Sequence, residues 1–158
     1  MPTSNLVPIN GTIQSISPLE NDCCHQMVSI RDRSGINNFI VGPDTYIVGE
    51  MRLRPGMIVT AFYDASLPIP LIYPPQYQAV IITRRTPRES IYAGFFDENL
   101  TAEDNVLRLN ISSSTEVVTS NGQQYPCSPA GQFLIVYYTT TTRSIPPQTT
   151  PRRVIVMC

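Results

Sequence analysis

One order of elements is written twice along this chain, and it constrains the fold more than any other feature. In the first half, Arg54-Pro55-Gly56 leads into the apolar run Met57 to Tyr63, then a proline-rich stretch ending Pro74-Pro75-Gln76, then Ala79-Val80-Ile81-Ile82-Thr83. In the second, Pro129-Ala130-Gly131 leads into Gln132 to Tyr138, then Ile145-Pro146-Pro147-Gln148, then Val154 to Met157. Upstream, the ten residues from Phe39 to Val48 line up with those from Leu109 to Val118, sharing alternate apolar positions and a central Thr (Thr45, Thr115). Gly11-Thr12-Ile13 can be set beside Gly94-Phe95-Phe96. Two unrelated β-meanders with similar turns would produce part of this pattern. The ordered Gly, Tyr and Pro-Pro-Gln argue instead for duplication of one small β-unit.

Helix signals are scarce. Fifteen prolines and many Thr, Val, Ile and Tyr leave strand-length runs between turn residues. The first half predicts strands at Val7 to Ile16, Gln26 to Arg31, Asn37 to Val41, Met57 to Tyr63 and Ala79 to Thr83. A hairpin turn is expected at Arg33-Ser34-Gly35. The second half predicts strands at Ala93 to Phe96, Val106 to Ile111, Glu116 to Val118, Phe133 to Thr139 and Val154 to Met157. Asn121-Gly122 is a turn signal, and Thr101-Ala102-Glu103-Asp104 has the composition of one capped helical turn.

The 158 residues suit one domain or two very small ones. Each half buries little of its surface alone, so two halves packed together are expected, with repeats at 1–85 and 86–158 joined through the polar segment around Pro87. The first twenty residues lack a basic start followed by an apolar core, and no window has the run of about twenty apolar residues that spans a bilayer. The expectation is a soluble, cytoplasmic protein with no membrane partner.

Gly11-Thr12-Ile13, the strand pair around Met27 to Val41, Thr45, Leu53-Arg54-Pro55-Gly56, Val59 to Tyr63 and Ile72 to Ala79 together resemble a group of small uncharacterised proteins of Firmicutes. The layout also resembles the OB-fold, a five-stranded Greek-key barrel that binds oligonucleotides, oligosaccharides or proteins. What the resemblance implies is an all-β chain of two tandem OB-like barrels, or barrel-like halves. It carries over no catalytic residue.

The residues themselves give little chemistry. His25 is the one histidine, beside Cys23 and Cys24, and Cys127 and Cys158 complete four cysteines without CxxC spacing. Adjacent strand residues face opposite ways, so Cys23-Cys24-His25 does not make a compact chelate, and reduced thiols are expected. Asp97-Glu98 and Glu103-Asp104 are expected to be a solvated edge and a cap. Neither an enzyme, a cofactor nor a metal is called for.

The aromatic residues are more suggestive. Tyr63, Tyr73 and Tyr77 lie on or beside the first repeated strand and its proline-rich loop, with Arg52 and Arg54 upstream. Together with Pro74 and Pro75 they are expected to form one contact face, in which rigid rings give area and a guanidinium gives direction. The loop Leu67 to Pro75 either folds over a barrel end, burying Ile69, Leu71 and Ile72, or leaves a sticky edge for a partner. The expected function is a non-enzymatic binding module for a protein or small polymer. Assembly into homo-oligomers through β edges is the alternative, and single-stranded nucleic acid is less favoured because the net charge is slightly negative.

Overall fold

Two runs of alternating Ile, Val and Phe seed the first sheet. In a computed structural model that describes residues 5–158, the chain forms two units, Asn5–Pro87 and Arg88–Cys158. The described residues are all-β, with one short 3-10 turn, Val48–Glu50, as their helical element.

The N-terminal unit contains β1 (Leu6–Leu19), β2 (Asp22–Asp32), β3 (Gly35–Val41), β4 (Tyr46–Ile47), β5 (Ile58–Asp64), β6 (Gln76–Gln78) and β7 (Ile81–Arg84). They pair in the order β4-β7-β5-β1-β2-β3-β6. On β2 and β3, Val28, Ile30 and Phe39 point inward and are fully buried, while Ser29 and Asn38 take the other face and hydrogen-bond at 2.6 Å. A bulge between Ile13 and Ser15 changes the phase of β1, so Ile9, Ile13 and Ile16 all reach one core despite their uneven spacing. At Gly11 the strands run so close that a Cβ would collide with the Arg31 carbonyl. Gly11→Ala is therefore expected to cost about 1–3 kcal/mol, as overpacking does, seen as a lowered denaturation midpoint. An unchanged midpoint would show that β1 and β2 can part there freely.

The C-terminal unit contains β8 (Ser90–Phe95), β9 (Arg108–Leu109), β10 (Glu116–Thr119), β11 (Phe133–Tyr138), β12 (Gln148–Thr149) and β13 (Arg153–Val156). A four-stranded sheet runs β10-β13-β11-β8, and β12 pairs with β9. Each of these pairings has a counterpart of the same sense in the N-terminal unit. The pairs β5 with β1 and β5 with β7 are antiparallel, as are β11 with β8 and β11 with β13. The pairs β4 with β7 and β3 with β6 are parallel, as are β10 with β13 and β9 with β12.

The agreement extends to single hydrogen bonds. Thr45 Oγ1 donates to the Ala79 carbonyl at 2.8 Å, and Thr115 Oγ1 donates to the Pro151 carbonyl at 2.7 Å. The Pro75 carbonyl accepts from the Asn38 amide, and the Pro147 carbonyl accepts from the Arg108 amide. Gly56 and Gly131, just before β5 and β11, both take the left-handed backbone that a side chain would strain, at φ 93° and 73°. The units part company at the hairpin. Where the first has β2 with eleven residues, the second has isolated bridges, Phe96 with Ala102 and Thr101 with Arg108.

None of these sheets is closed into a barrel by strand pairing. The expected helical turn at Thr101 to Asp104 is a correction: Thr101 and Ala102 are bridge residues. The carboxylate of Asp97 accepts from the Asn99 and Thr101 amides and so holds the loop that Thr101 was expected to cap. The expected strand Val106 to Ile111 contracts to Arg108–Leu109.

Candidate functional site: a tyrosine cleft on the N-terminal unit

Tyr63 stands near the end of β5 and Tyr77 at the centre of β6. Their rings stack, with centroids 4.0 Å apart and planes at 17°. The register of β3 on β6 places Phe39 opposite Tyr77, and the two rings meet at 5.3 Å. Phe39 is wholly buried, so Tyr77 is anchored from below by the core and from the side by Tyr63. Burial pushes the Tyr77 hydroxyl above its ordinary value, and the Tyr63 hydroxyl and the charge of Asp32 push the same way. Tyr77 stays neutral and can serve as a hydrogen-bond partner in water.

The two rings floor a cleft of about 190 Å³. Its wall is the start of the proline-rich loop, Leu67-Pro68-Ile69-Pro70, and Asp64, Gln76 and Gln78 supply its polar rim. The loop is fixed at its base because the Asp64 carboxylate accepts from both the amide and the hydroxyl of Ser66. Its far end is fixed where the Pro75 carbonyl takes the Asn38 amide. Between these points the prolines have no amide to donate to a sheet, so the segment stays off the ladder. Of the two outcomes expected for this loop, the structure shows the uncovered one. Leu71 is fully exposed, Tyr73 is 83% exposed, and about half of Leu67 and Ile72 faces water.

The expected contact face is divided. Tyr63 and Tyr77 come together, but Tyr73, Pro74 and Pro75 do not line the cleft, and the Tyr73 hydroxyl lies instead near Gly35. Arg52 and Arg54 line a different cavity. The reason is strand length: the arginines precede β5 and Tyr63 lies near its end, and a strand of this size carries the chain about 20 Å. Asp64, Leu67 and Ile69 belong to the cleft although they were not grouped with the tyrosines. The signal that could have found them is the alternation of Pro with Leu and Ile beside an aromatic strand end.

Other candidates take local roles. His25 lies on β2 with Nδ1 2.8 Å from the Asp22 carboxylate, and the ring packs over Gly42. Cys23, Cys24, Cys127 and Cys158 are unpaired and exposed. Asp104 accepts from the Tyr92 hydroxyl at 2.9 Å, and this bond and burial raise the Tyr92 pKa, burial most. Among the described residues no three His, Cys, Asp or Glu side chains converge. No helix among them is long and apolar enough to cross a membrane. No protein-family profile, curated protein or solved structure matches this chain.

Proposed function

We propose that the chain is a tandem duplication of an OB-like unit in which the N-terminal copy binds an extended, uncharged and largely apolar segment of a partner protein in the Tyr63–Tyr77 cleft. The matching pairings support the duplication. In the OB-like reading, residues 76–84 act as one strand, because the Ala79 amide bonds the Ile40 carbonyl on β3 and the next amide, Val80, bonds Phe62 on β5. That segment passes from one end of the sheet order toward the other, as the last strand of a Greek-key barrel does.

The observation that carries the binding reading is the difference between the copies. By register, Tyr63 matches Tyr138 and Tyr77 matches Thr149, while Phe39 matches Leu109. The apolar loop Leu67 to Tyr73 is matched by Thr139 to Ile145, which is rich in threonine and has Ile145 as its one apolar residue. The same frame therefore forms without a ring pair or an apolar loop, and these features of the first copy are additions that the frame does not require.

The rim decides between ligands. The charged residue lining the cleft is Asp64, no arginine lines it, and Asp32 adds further negative charge nearby. Phosphates are repelled by such a rim, which weighs against nucleic acid. Stacked rings beside prolines instead suit an extended segment that loses little entropy on docking, as proline-rich peptides do. Selection of linear peptides from a displayed library tests this. Proline-rich or apolar sequences of low charge are expected to be enriched, with affinity insensitive to salt. Enrichment of acidic sequences, or tight salt-sensitive binding of oligothymidylate, would contradict it.

A further inference from the structure

A second cavity, of about 600 Å³, lies beside the connection between β4 and β5. Ile16, Val41, Ile47 and Leu53 give it apolar walls, and Arg52 and Arg54 stand on its lining. Along this connection Met51 and Leu53 are half-buried while Arg52 and Arg54 are exposed, so the two arginines share its outer side. Among the described residues neither guanidinium forms a hydrogen bond or an ion pair, and no acidic residue lines the cavity. Other arginines are occupied: Arg152 holds Glu89 at 2.8 Å and Arg153 lies 2.9 Å from Glu116. The matching connection of the C-terminal unit, residues 119–130, contains no basic residue. The pair is therefore not required by the frame.

We infer that this cavity is a binding site for a small amphipathic carboxylate, whose charged end is held by Arg52 and Arg54 and whose hydrocarbon body lies along Ile16, Val41, Ile47 and Leu53. A guanidinium fork matches a carboxylate with two parallel hydrogen bonds. The apolar walls contribute only if the ligand brings apolar surface to bury, which inorganic phosphate does not. The volume is in the range of small-molecule sites. The Gln26 side chain, also on the lining, adds a neutral donor for a carboxylate oxygen. The site is independent of the tyrosine cleft.

Octanoate titrated into the intact chain, followed by methyl resonances, tests the assignment. Saturable shifts are expected at Ile47 and Leu53 and not at Leu67 and Ile69. Octan-1-ol, with the same chain and no charge, is expected to bind at least about tenfold more weakly, the loss of a charge-assisted pair. The Arg52→Gln/Arg54→Gln variant, whose unchanged spectrum elsewhere reports an intact fold, is expected to lose octanoate by a similar factor. Arg52→Lys/Arg54→Lys should retain part of the affinity, because the charge remains while the fork is lost. The assignment is overturned by equal binding of octanol and octanoate, by undiminished binding to the glutamine variant, by equally effective displacement with inorganic phosphate, by shifts confined to the tyrosine cleft, or by no saturable shift at millimolar octanoate.

Discussion

Replacing Arg152 with alanine is expected to destabilise the protein by about 2–3 kcal/mol, a loss of about 10 °C in melting temperature. Arg152 donates from Nε and a terminal nitrogen to both carboxylate oxygens of Glu89, at 2.8 and 2.9 Å. The Glu89 side chain is only 4% exposed, so removing the cation strips a buried carboxylate of its main compensation. Breaking a fully buried pair costs about 3–5 kcal/mol. The lower figure is expected here because Arg152 is 58% exposed and water can take part of its place. The guanidinium also lies 5.4 Å from the Tyr137 ring centre, a contact that is lost with it. By register, the N-terminal unit has Leu6 and Val80 where the C-terminal unit has Glu89 and Arg152. The double variant Glu89→Leu/Arg152→Val is therefore expected to recover most of the loss, as apolar replacements of buried pairs do. Chemical denaturation of the wild type and both variants measures this. A stability for Arg152→Ala within about 0.5 kcal/mol of wild type would remove the ion pair from the account of this unit.

Tyr77→Ala is expected to act twice, on stability and on binding. Truncating a fully buried aromatic costs about 3–5 kcal/mol, and for a half-buried ring anchored on Phe39 and Tyr63 about 2–3 kcal/mol is expected. In the sequence Tyr77 reads only as part of a contact face. Its register on Phe39 makes Tyr77 part of the core's edge. Below the melting range the variant should also lose peptide binding by about tenfold or more, the behaviour of an aromatic anchor. Tyr73→Ala separates the two effects. That ring does not line the cleft, and its removal should change stability by no more than about 0.5 kcal/mol and leave the cleft's affinity intact. If Tyr73→Ala abolished binding while Tyr77→Ala spared it, the site would have to be moved onto the exposed loop.

The strands that were legible in the sequence are those whose periodicity shows which way their side chains face. On β2 and β3 the alternation around Val28, Ile30 and Phe39 is plain in the order of residues, and β11 is a continuous apolar run from Phe133 to Tyr138. The parallel pieces β6, β9 and β12 have two or three residues each and no period to read; only their partners define them. The segment at Thr101 was misleading because Thr followed by acids looks like a helix cap. The Glu103 amide, which a Thr101 cap would satisfy, donates instead to the Phe95 carbonyl, while Asp97 holds the amide of Thr101 itself. For the site, residue type was legible and proximity was not. Tyr63 and Tyr77 meet because β5 and β6 both approach one core, whereas Arg52, closer in sequence to Tyr63 than Tyr77 is, faces another cavity.

The same strand pairings occur in both units, and the proposal is that only the first bears a binding cleft. Mapping a library-selected peptide on the intact chain by nuclear magnetic resonance tests it most directly. Perturbations are expected at Tyr63, Leu67, Ile69 and Tyr77, with the matched positions Tyr138 and Thr149 unmoved at saturation. Equal perturbation of the Thr139 to Ser144 loop, or a footprint away from both loops, would contradict it.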